Sequence, residues 1–266
     1  RGITIMSKYT RLYYKDYALH VVDTPGHADF GGEVERILHM VDGVILLCDA
    51  SEGPMSQTKF VLSKALANKK PAIVVLNKVD REGHRAEEVE NEIFDLFCNL
   101  IGDGDEEESM EHLLEYPLLF ASAKQGWVVK ELKQVQVGGV GGTDLTVEPL
   151  LDAIIANIPP PVVSVNVNEK EIDIDIDKIL QEPFGMSINN IQTDNHLGRI
   201  VTGKVEYGTV RLGDRIKVLK SDNNNNNDDE KDNNNNNNNG KEGKVTKLFY
   251  LQGLNRVDVD IAYAGE

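Results

Sequence analysis

Hydrophobic and polar positions follow two different patterns along the chain, and the change comes near residue 160. Before it, short apolar runs alternate with stretches of helical periodicity. The apolar runs occupy 18–22, 43–48, 72–76 and 117–121, and the helical stretches occupy 31–40, 55–68, 86–100 and 147–157. Continuous apolar runs of this length are typical of buried parallel strands. The alternation therefore predicts a three-layer α/β domain over residues 1–160 with a mostly parallel sheet.

The segment "IPPP" at 158–161 ends the last helical stretch and starts an extended linker, and we predict a linker or insertion over 161–182. From residue 183 to 266, apolar and polar positions alternate between glycines, which is typical of the short antiparallel strands of a small β-barrel. The barrel is expected to be incomplete at Glu266. The Asn-rich tract at 222–240 has almost nothing to bury, so we predict a disordered insertion at a hairpin turn.

Composition changes this picture little. The chain has 266 residues, of which 40% are hydrophobic and 27% charged, and this is ordinary for a globular protein. Its net charge is −16, and three segments account for almost all of it: 103–115, 169–182 and 222–232. We interpret them as solvated loops, so the acidity does not exclude a nucleic-acid partner. No apolar run reaches the roughly 18 residues that span a membrane, and no membrane partner is predicted.

The two cysteines and five of the six histidines show no pattern typical of a metal-binding, redox or catalytic role. Cys48 and Cys98 lack metal-ligand spacing and are predicted to be buried, reduced thiols. Trp127 is expected to pack beside a loop. Five histidines are predicted to be structural or solvated: His20, His39, His84, His112 and His196.

Polar residues collect where the predicted strands end, which is where ligands bind in α/β sheets. In "DTPG", Asp23 can hold Mg²⁺ and Gly26 lets a backbone N–H approach a phosphate, although the same letters also make an ordinary turn. In "VLNKVD", Asn77 and Asp80 can recognise a base edge with adjacent donors, as in guanine, while the Lys78 stem covers the ring. Helix capping explains Asn and Asp there equally well.

Two further segments are weak when taken singly. "FASAKQG" places the small residues Ser122 and Ala123 before Lys124, in a loop whose backbone N–H groups can donate to a base carbonyl. "RGITI" contains Thr4, whose hydroxyl can ligate Mg²⁺. The four segments together, in this order at successive strand ends, carry much more information than each alone.

The chain resembles the translational GTPases in these segments. "RGITI", "DTPGHADF" and "NKVD" resemble their switch, magnesium and guanine motifs, and "HADFGGEVERI", "MVDGVILLCDASEGPMSQTKFVLSKAL" and "FASAKQGW" resemble the TypA/BipA ribosome-associated family in particular. The resemblance covers about 1–100, 117–127 and 147–160, and it continues in 183–220 and 241–266.

The resemblance implies a P-loop-type GTPase domain followed by a translation-factor β-barrel, with GTP or GDP and Mg²⁺ as ligands. Thr4 and Asp23 would hold the metal, and His27 would reach the attacking water as a base or as a positioning group. Ile3 resembles half of the apolar gate that holds this histidine back. The residues implied in nucleotide binding are Asp23, Thr24, Pro25, Gly26, Asn77, Lys78, Asp80, Ser122, Ala123 and Lys124.

The implied function is hydrolysis of GTP to GDP and phosphate by a monomer that the ribosome stimulates, in translation or in ribosome assembly under stress. The alternatives are an elongation-factor- or LepA-like GTPase, or a non-hydrolysing GTP-dependent binding module. The compartment would be the cytoplasm or an organelle with bacterial-type ribosomes.

No G-x-x-x-x-G-K-[ST] phosphate loop occurs in the 266 residues, whereas in the resembling family it precedes "RGIT". We therefore expect an N-terminally truncated GTPase domain that begins at the first switch, and a fragment that is inactive by itself.

Overall fold

The computed structural model describes residues 7–24, 31–101, 115–135, 145–161, 164–167, 170–173, 176–219 and 241–266. The chain divides into two compact units: Arg1–Val162 with Ile188–Gly203, and Val163–Ser187 with Lys204–Glu266. No helix among the described residues is long and apolar enough to cross a membrane.

A four-stranded sheet forms the centre of the first unit, in the order β3 (Val44–Asp49), β4 (Ala72–Asn77), β5 (Leu118–Ser122) and β6 (Trp127–Val129). Strands β3 to β5 run parallel and β6 is antiparallel to β5. This agrees with the mostly parallel sheet predicted from the apolar runs. The elements are β1 (Lys8–Tyr14), β2 (Tyr17–Asp23), α1 (Gly31–Met40), β3 (Val44–Asp49), α2 (Ser56–Ala67), β4 (Ala72–Asn77), α3 (Ala86–Ile101), β5 (Leu118–Ser122), β6 (Trp127–Val129), a 3₁₀ turn (Leu132–Gln134) and α4 (Glu148–Asn157).

Strand β4 is buried on both faces, as the three-layer prediction requires. Val74 and Leu76 belong to a core cluster with residues of α2 and α3, whereas Ile73 and Val75 belong to a second cluster with Ala153 of α4. Because successive side chains of a strand point to opposite faces, helices must cover both sides of the sheet. The four predicted helical stretches are confirmed as α1 to α4.

The prediction of a buried parallel strand at 18–22 is wrong. Strand β2 pairs antiparallel with β1, in the register from Lys8 opposite Asp23 to Tyr14 opposite Tyr17, and Ala18 and His20 within the predicted stretch are exposed. A two-residue turn joins the strands, in which Lys15 takes the left-handed backbone conformation with φ of 52°. Such turns match the twist of a hairpin, so the neighbouring segment supplies the hydrogen-bonding partner locally.

The second unit consists mainly of short strands. Three pairs of strands each form an antiparallel two-stranded sheet. They are β11 (Thr209–Arg211) with β16 (Ile261–Tyr263), β12 (Arg215–Lys217) with β13 (Glu242–Lys244), and β14 (Leu248–Gln252) with β15 (Asn255–Val259). The closed barrel and the predicted domain boundaries stay predictions, and the tract at 222–240 lies outside the described residues. The remaining elements of the chain are β7 (Ser164–Val167), β8 (Lys170–Asp173), α5 (Ile176–Gln181), β9 (Gly185–Asp194), β10 (Gly198–Tyr207), β11 (Thr209–Arg211), β12 (Arg215–Lys217), β13 (Glu242–Lys244), β14 (Leu248–Gln252), β15 (Asn255–Val259) and β16 (Ile261–Tyr263).

Candidate functional site

The carboxyl ends of β3, β4 and β5 lie side by side. Asp49 is the register partner of Asn77, and Asn77 is the register partner of Ala121. The loops that follow β4 and β5 therefore leave the sheet at the same edge. The structure thus brings together two of the sequence-predicted segments, "NKVD" and "SAK".

Asn77 joins these two loops. Its Oδ1 accepts a hydrogen bond from the backbone N–H of Ala123 at 2.9 Å, and another from the backbone N–H of Lys78 at 2.8 Å. The backbone N–H of Val79 also donates to the Ala121 carbonyl at 3.3 Å. These two cross-loop hydrogen bonds, of which the Asn77 bond is the shorter, fix the spacing between the loops. The sequence predicts that backbone N–H groups of the loop after β5 can donate to a base carbonyl. In this structure one of them, the Ala123 N–H, donates to Asn77 instead.

Lys78 takes an unusual backbone conformation, with φ of 69°. A non-glycine residue there costs on the order of 1 kcal/mol and persists only where its surroundings hold it. Two contacts do so here: the bond from its N–H to Asn77, and an ion pair between its Nζ and Oδ2 of Asp49. Asp80 follows two residues later and is partly exposed, so its carboxylate is within reach of solvent.

Asp49 itself is nearly enclosed, with 10% of its side chain exposed. Its Oδ1 accepts the backbone N–H of Ser51 at 2.8 Å, and Nη1 of Arg81 lies 3.8 Å from its Oδ2. Burial by itself raises the pKa of the Asp49 carboxyl. The hydrogen bonds from Lys78 and Ser51, with the charges of Lys78 and Arg81, outweigh burial and hold that pKa below its usual value.

The loop after β5 is tied to its own strand end. Ser122 is fully buried, and its Oγ accepts the N–H of Gln125 at 3.2 Å while its carbonyl accepts the N–H of Gly126 at 2.8 Å. Gly126 has φ of 77°, which favours glycine. Ala123 and Lys124 are therefore presented at an exposed tip, and Trp127 is 3% exposed in the core, as predicted.

The switch and magnesium segments are described only at their edges. Asp23 ends β2 with an exposed side chain, and Thr24 is partly buried. Thr4, Pro25, Gly26 and His27 lie outside the described residues. The carboxylate oxygens of Asp23 are hard ligands of the kind that Mg²⁺ takes, so this end of the predicted donor pair fits the metal.

The residues that border these segments are in contact. Ser7, just after "RGITI", donates its backbone N–H to Oε1 of Glu33 on α1 at 3.0 Å. Glu33 itself lies three residues after the "DTPGHADF" segment. The structure therefore brings together the residues that follow each of the two predicted switch segments.

Sequence reasoning missed two residues of this edge, Asp49 and Arg85. Arg85 donates from Nε to the Ser51 carbonyl at 3.0 Å and from Nη2 to the Glu52 carbonyl at 2.9 Å, and it forms an ion pair with Glu92 of α3. These bonds fasten the loop after β3 to α3. The available signal was the position of Asp49, an acid at a strand end as in the case of Asp23.

The family model of the elongation factor Tu GTP binding domain matches residues 1–160. The chain belongs to this family. The family assignment confirms the predicted α/β GTPase domain, and with it guanine nucleotide as the ligand class of the fold.

Relatives that align with the whole chain confirm the resemblance to TypA/BipA. The proteins from Bacillus subtilis and Haemophilus influenzae, both named large ribosomal subunit assembly factor BipA, are 39% and 37% identical to it. The chain spans 36% of the length of each.

Among solved structures, elongation factor SelB from Methanococcus maripaludis, crystallised with the GTP analogue GppNHp, superposes with a TM-score of 0.65. The superposition covers 98% of this chain and 44% of that one, at 21% identity. At this identity, the likeness shows the fold alone.

Proposed function

We propose that the protein carrying this chain binds guanine nucleotides and hydrolyses GTP to GDP and phosphate. The observation that carries the proposal is the bridge from Asn77 Oδ1 to the Ala123 N–H, which joins the "NKVD" and "SAK" loops at the carboxyl edge of the sheet. Membership in the elongation factor Tu GTP-binding family supports it.

The two joined loops recognise the base. The Asp80 carboxylate accepts the adjacent N–H donors of a guanine edge, a pairing that adenine does not offer in the same arrangement. Lys78 covers the ring face with its stem, and Ser122, Ala123 and Lys124 border the base from the other loop. Because Asn77 already holds both loops, little ordering is left for the moment of binding.

The segments around β2 hold the phosphates and the metal. Asp23 and the hydroxyl of Thr4 are the residues that would hold Mg²⁺, and the ion would supply positive charge to neutralise the phosphates. The segment Thr24–Gly26 follows Asp23 directly in the sequence. The Gly26 N–H donates to the γ-phosphate, so loss of that phosphate frees the turn.

His27 orients the water that attacks the γ-phosphorus. A bond forms from the water oxygen to phosphorus, the bond from phosphorus to the β–γ bridging oxygen breaks, and the water protons end on phosphate or solvent. This chemistry needs positioning and charge neutralisation more than covalent help. Intrinsic turnover is therefore slow, and an activator in trans raises it by about 10³ to 10⁵.

The activator is the ribosome, and the protein acts in translation or in ribosome assembly under stress. A ribosomal partner is supported by relatives that are named large ribosomal subunit assembly factors. The protein acts as a monomer in the cytoplasm or in an organelle with bacterial-type ribosomes. The 266 residues alone contain no G-x-x-x-x-G-K-[ST] loop, so we propose that they bind nucleotide poorly.

His27→Ala in the protein carrying this chain tests the proposal. Ribosome-stimulated GTP turnover should fall at least about 100-fold, since general acid–base and positioning groups contribute about 10² to 10⁴, while the Kd for GTP stays unchanged. His39→Ala is the matched control, because His39 lies exposed on α1. Unchanged turnover in His27→Ala, or an equal loss in His39→Ala, would contradict the assignment.

A further inference from the structure

Asp49 is an acid at the carboxyl edge of the sheet to which the nucleotide motifs give no role. It ends β3 beside Asn77, has 10% of its side chain exposed, and forms an ion pair with the ammonium of Lys78. Its second oxygen is occupied by the Ser51 N–H at 2.8 Å. One carboxylate thus contacts its own loop through Ser51 and the loop after β4 through Lys78, with Nη1 of Arg81 3.8 Å from the oxygen that holds Lys78.

The ion pair between Asp49 and Lys78 restricts a side chain that would otherwise sample many rotamers. A free lysine side chain carries about 2 kcal/mol of rotamer entropy, which a ligand lying against it must overcome. Lys78 is held at both ends: Asn77 fixes its N–H, and Asp49 holds its ammonium. The methylene stem between these anchors is therefore ordered before any ligand arrives.

We propose that Asp49 is a positioning residue of the guanine site, whose carboxylate holds the Lys78 ammonium so that the lysine stem is preset as the surface on which the purine ring lies. The inference rests on the proposed function, since it concerns the same nucleotide. It extends the base site beyond the "NKVD" and "SAK" segments to the end of β3.

The sign of the expected effect separates positioning from simple electrostatics. Asp49 is negative and so is a nucleotide, and removing a negative charge near an anionic ligand ordinarily tightens binding. Positioning predicts the opposite: removing the Asp49 charge weakens binding because the lysine stem loses its anchor. A second alternative is that Asp49 serves only the loop after β3, through its bond with Ser51.

Two substitutions separate these roles. Asp49→Asn keeps an oxygen that can accept the Ser51 N–H, but it removes the charge that holds Lys78. Asp49→Glu keeps the charge on a longer side chain and moves the oxygen that Ser51 uses. Glu82→Gln is the matched control, because it removes one charge from an exposed residue of the loop after β4.

The experiment measures the Kd of GDP by fluorescence titration in the protein carrying this chain, with thermal unfolding of each variant alongside. We expect Asp49→Asn to raise the Kd about fivefold, Asp49→Glu to recover at least half of that loss, and Glu82→Gln to leave the Kd unchanged or lower. In a Lys78→Met background, which keeps a stem but no ammonium, Asp49→Asn should change the Kd no further.

Three outcomes would overturn the inference. The first is a Kd of GDP that is unchanged or lowered in Asp49→Asn, and the second is a rise in Kd on Asp49→Asn that is as large in the Lys78→Met background as in the natural protein. The third is weaker GDP binding by Asp49→Glu than by Asp49→Asn. If Asp49→Asn does not fold, Lys78→Arg decides, since it keeps a charge for Asp49 and must bind GDP more tightly than Lys78→Met. Failure of the unsubstituted protein to bind GDP would instead overturn the proposed function itself.

Discussion

At the scale of single residues, the candidate site depends on one amide oxygen. Asn77 Oδ1 accepts two backbone N–H groups, one from its own loop and one from a residue 46 positions away. The sequence motif predicts that the Asn77 side chain recognises the edge of a guanine base. The structure shows that it also builds the site.

Asn77→Ala should therefore destabilise the protein as well as weaken nucleotide binding. The substitution removes Oδ1, the acceptor for the backbone N–H groups of Lys78 and Ala123. We therefore expect the free energy of unfolding to fall by about 1–2 kcal/mol. Asn77→Asp is the control, because its carboxylate can accept both N–H groups. Urea unfolding of the two variants checks this. Equal destabilisation by Ala and Asp would show that the bridge does not carry the effect.

At the scale of elements, a polar contact fastens hairpin β1–β2 to helix α4. Oδ1 of Asp152 accepts the Tyr14 hydroxyl at 3.0 Å and forms an ion pair with Nζ of Lys15 at 2.6 Å. The bonds from Lys15 and Tyr14 hold the pKa of the Asp152 carboxyl below its usual value. The hairpin runs on to Asp23, so this contact supports the strand that carries the predicted magnesium ligand.

Asp152→Ala should loosen the hairpin. Exposed ion pairs contribute about 0.2–1 kcal/mol, so we expect amide hydrogen exchange within Lys8–Asp23 to accelerate about two- to fivefold at low salt. The difference should shrink as salt rises, because the pair is exposed. Glu148→Ala, on the same helix, is the control and should leave the exchange of the hairpin unchanged. Equal exchange in the two variants would argue against the contact.

At the scale of the whole molecule, one core cluster on the α3 side of the sheet extends from α2 to the segment before β5. Phe97 is fully buried and stacks on the Tyr116 ring with centroids 4.2 Å apart. Burial, with the charges of Glu90 and Cys98, raises the pKa of Tyr116 to about 12. The folded protein therefore favours the neutral phenol at a pH where the unfolded chain ionises.

This shift predicts alkaline sensitivity. The folded pKa of Tyr116 lies above its unfolded value of about 10, so the stabilisation is fully present below pH of about 10 and is lost as pH rises towards about 12. A shift of this size corresponds to about 2.7 kcal/mol at most. Because Tyr116 is only partly buried and solvent screens it, we expect the free energy of unfolding to fall by about 1 kcal/mol more in the natural protein than in Tyr116→Phe over this range. Phe keeps the ring stack without the hydroxyl. Parallel pH profiles for the two proteins would contradict the assignment.

Short-range periodicity was enough to predict much of the fold. Four helices and three parallel strands follow from spacings of two to four residues, because an amphipathic or fully apolar segment has few ways to bury itself. The sequence pattern does not predict the hairpin of β1 and β2. An apolar run indicates a strand, but it does not indicate whether that strand pairs with a distant parallel strand or with the segment just before it.

The sequence by itself determined which residues are candidates for recognising a guanine nucleotide, because that prediction depends on side-chain type and on order along the chain. Only the tertiary structure decided what holds those residues: Asp49 contacts Lys78 across 29 positions, and Lys15 contacts Asp152 across 137. The physical reason is that a polar contact needs a partner within about 3 Å, and the path of the backbone through the sheet, rather than any local pattern, places two distant residues that close.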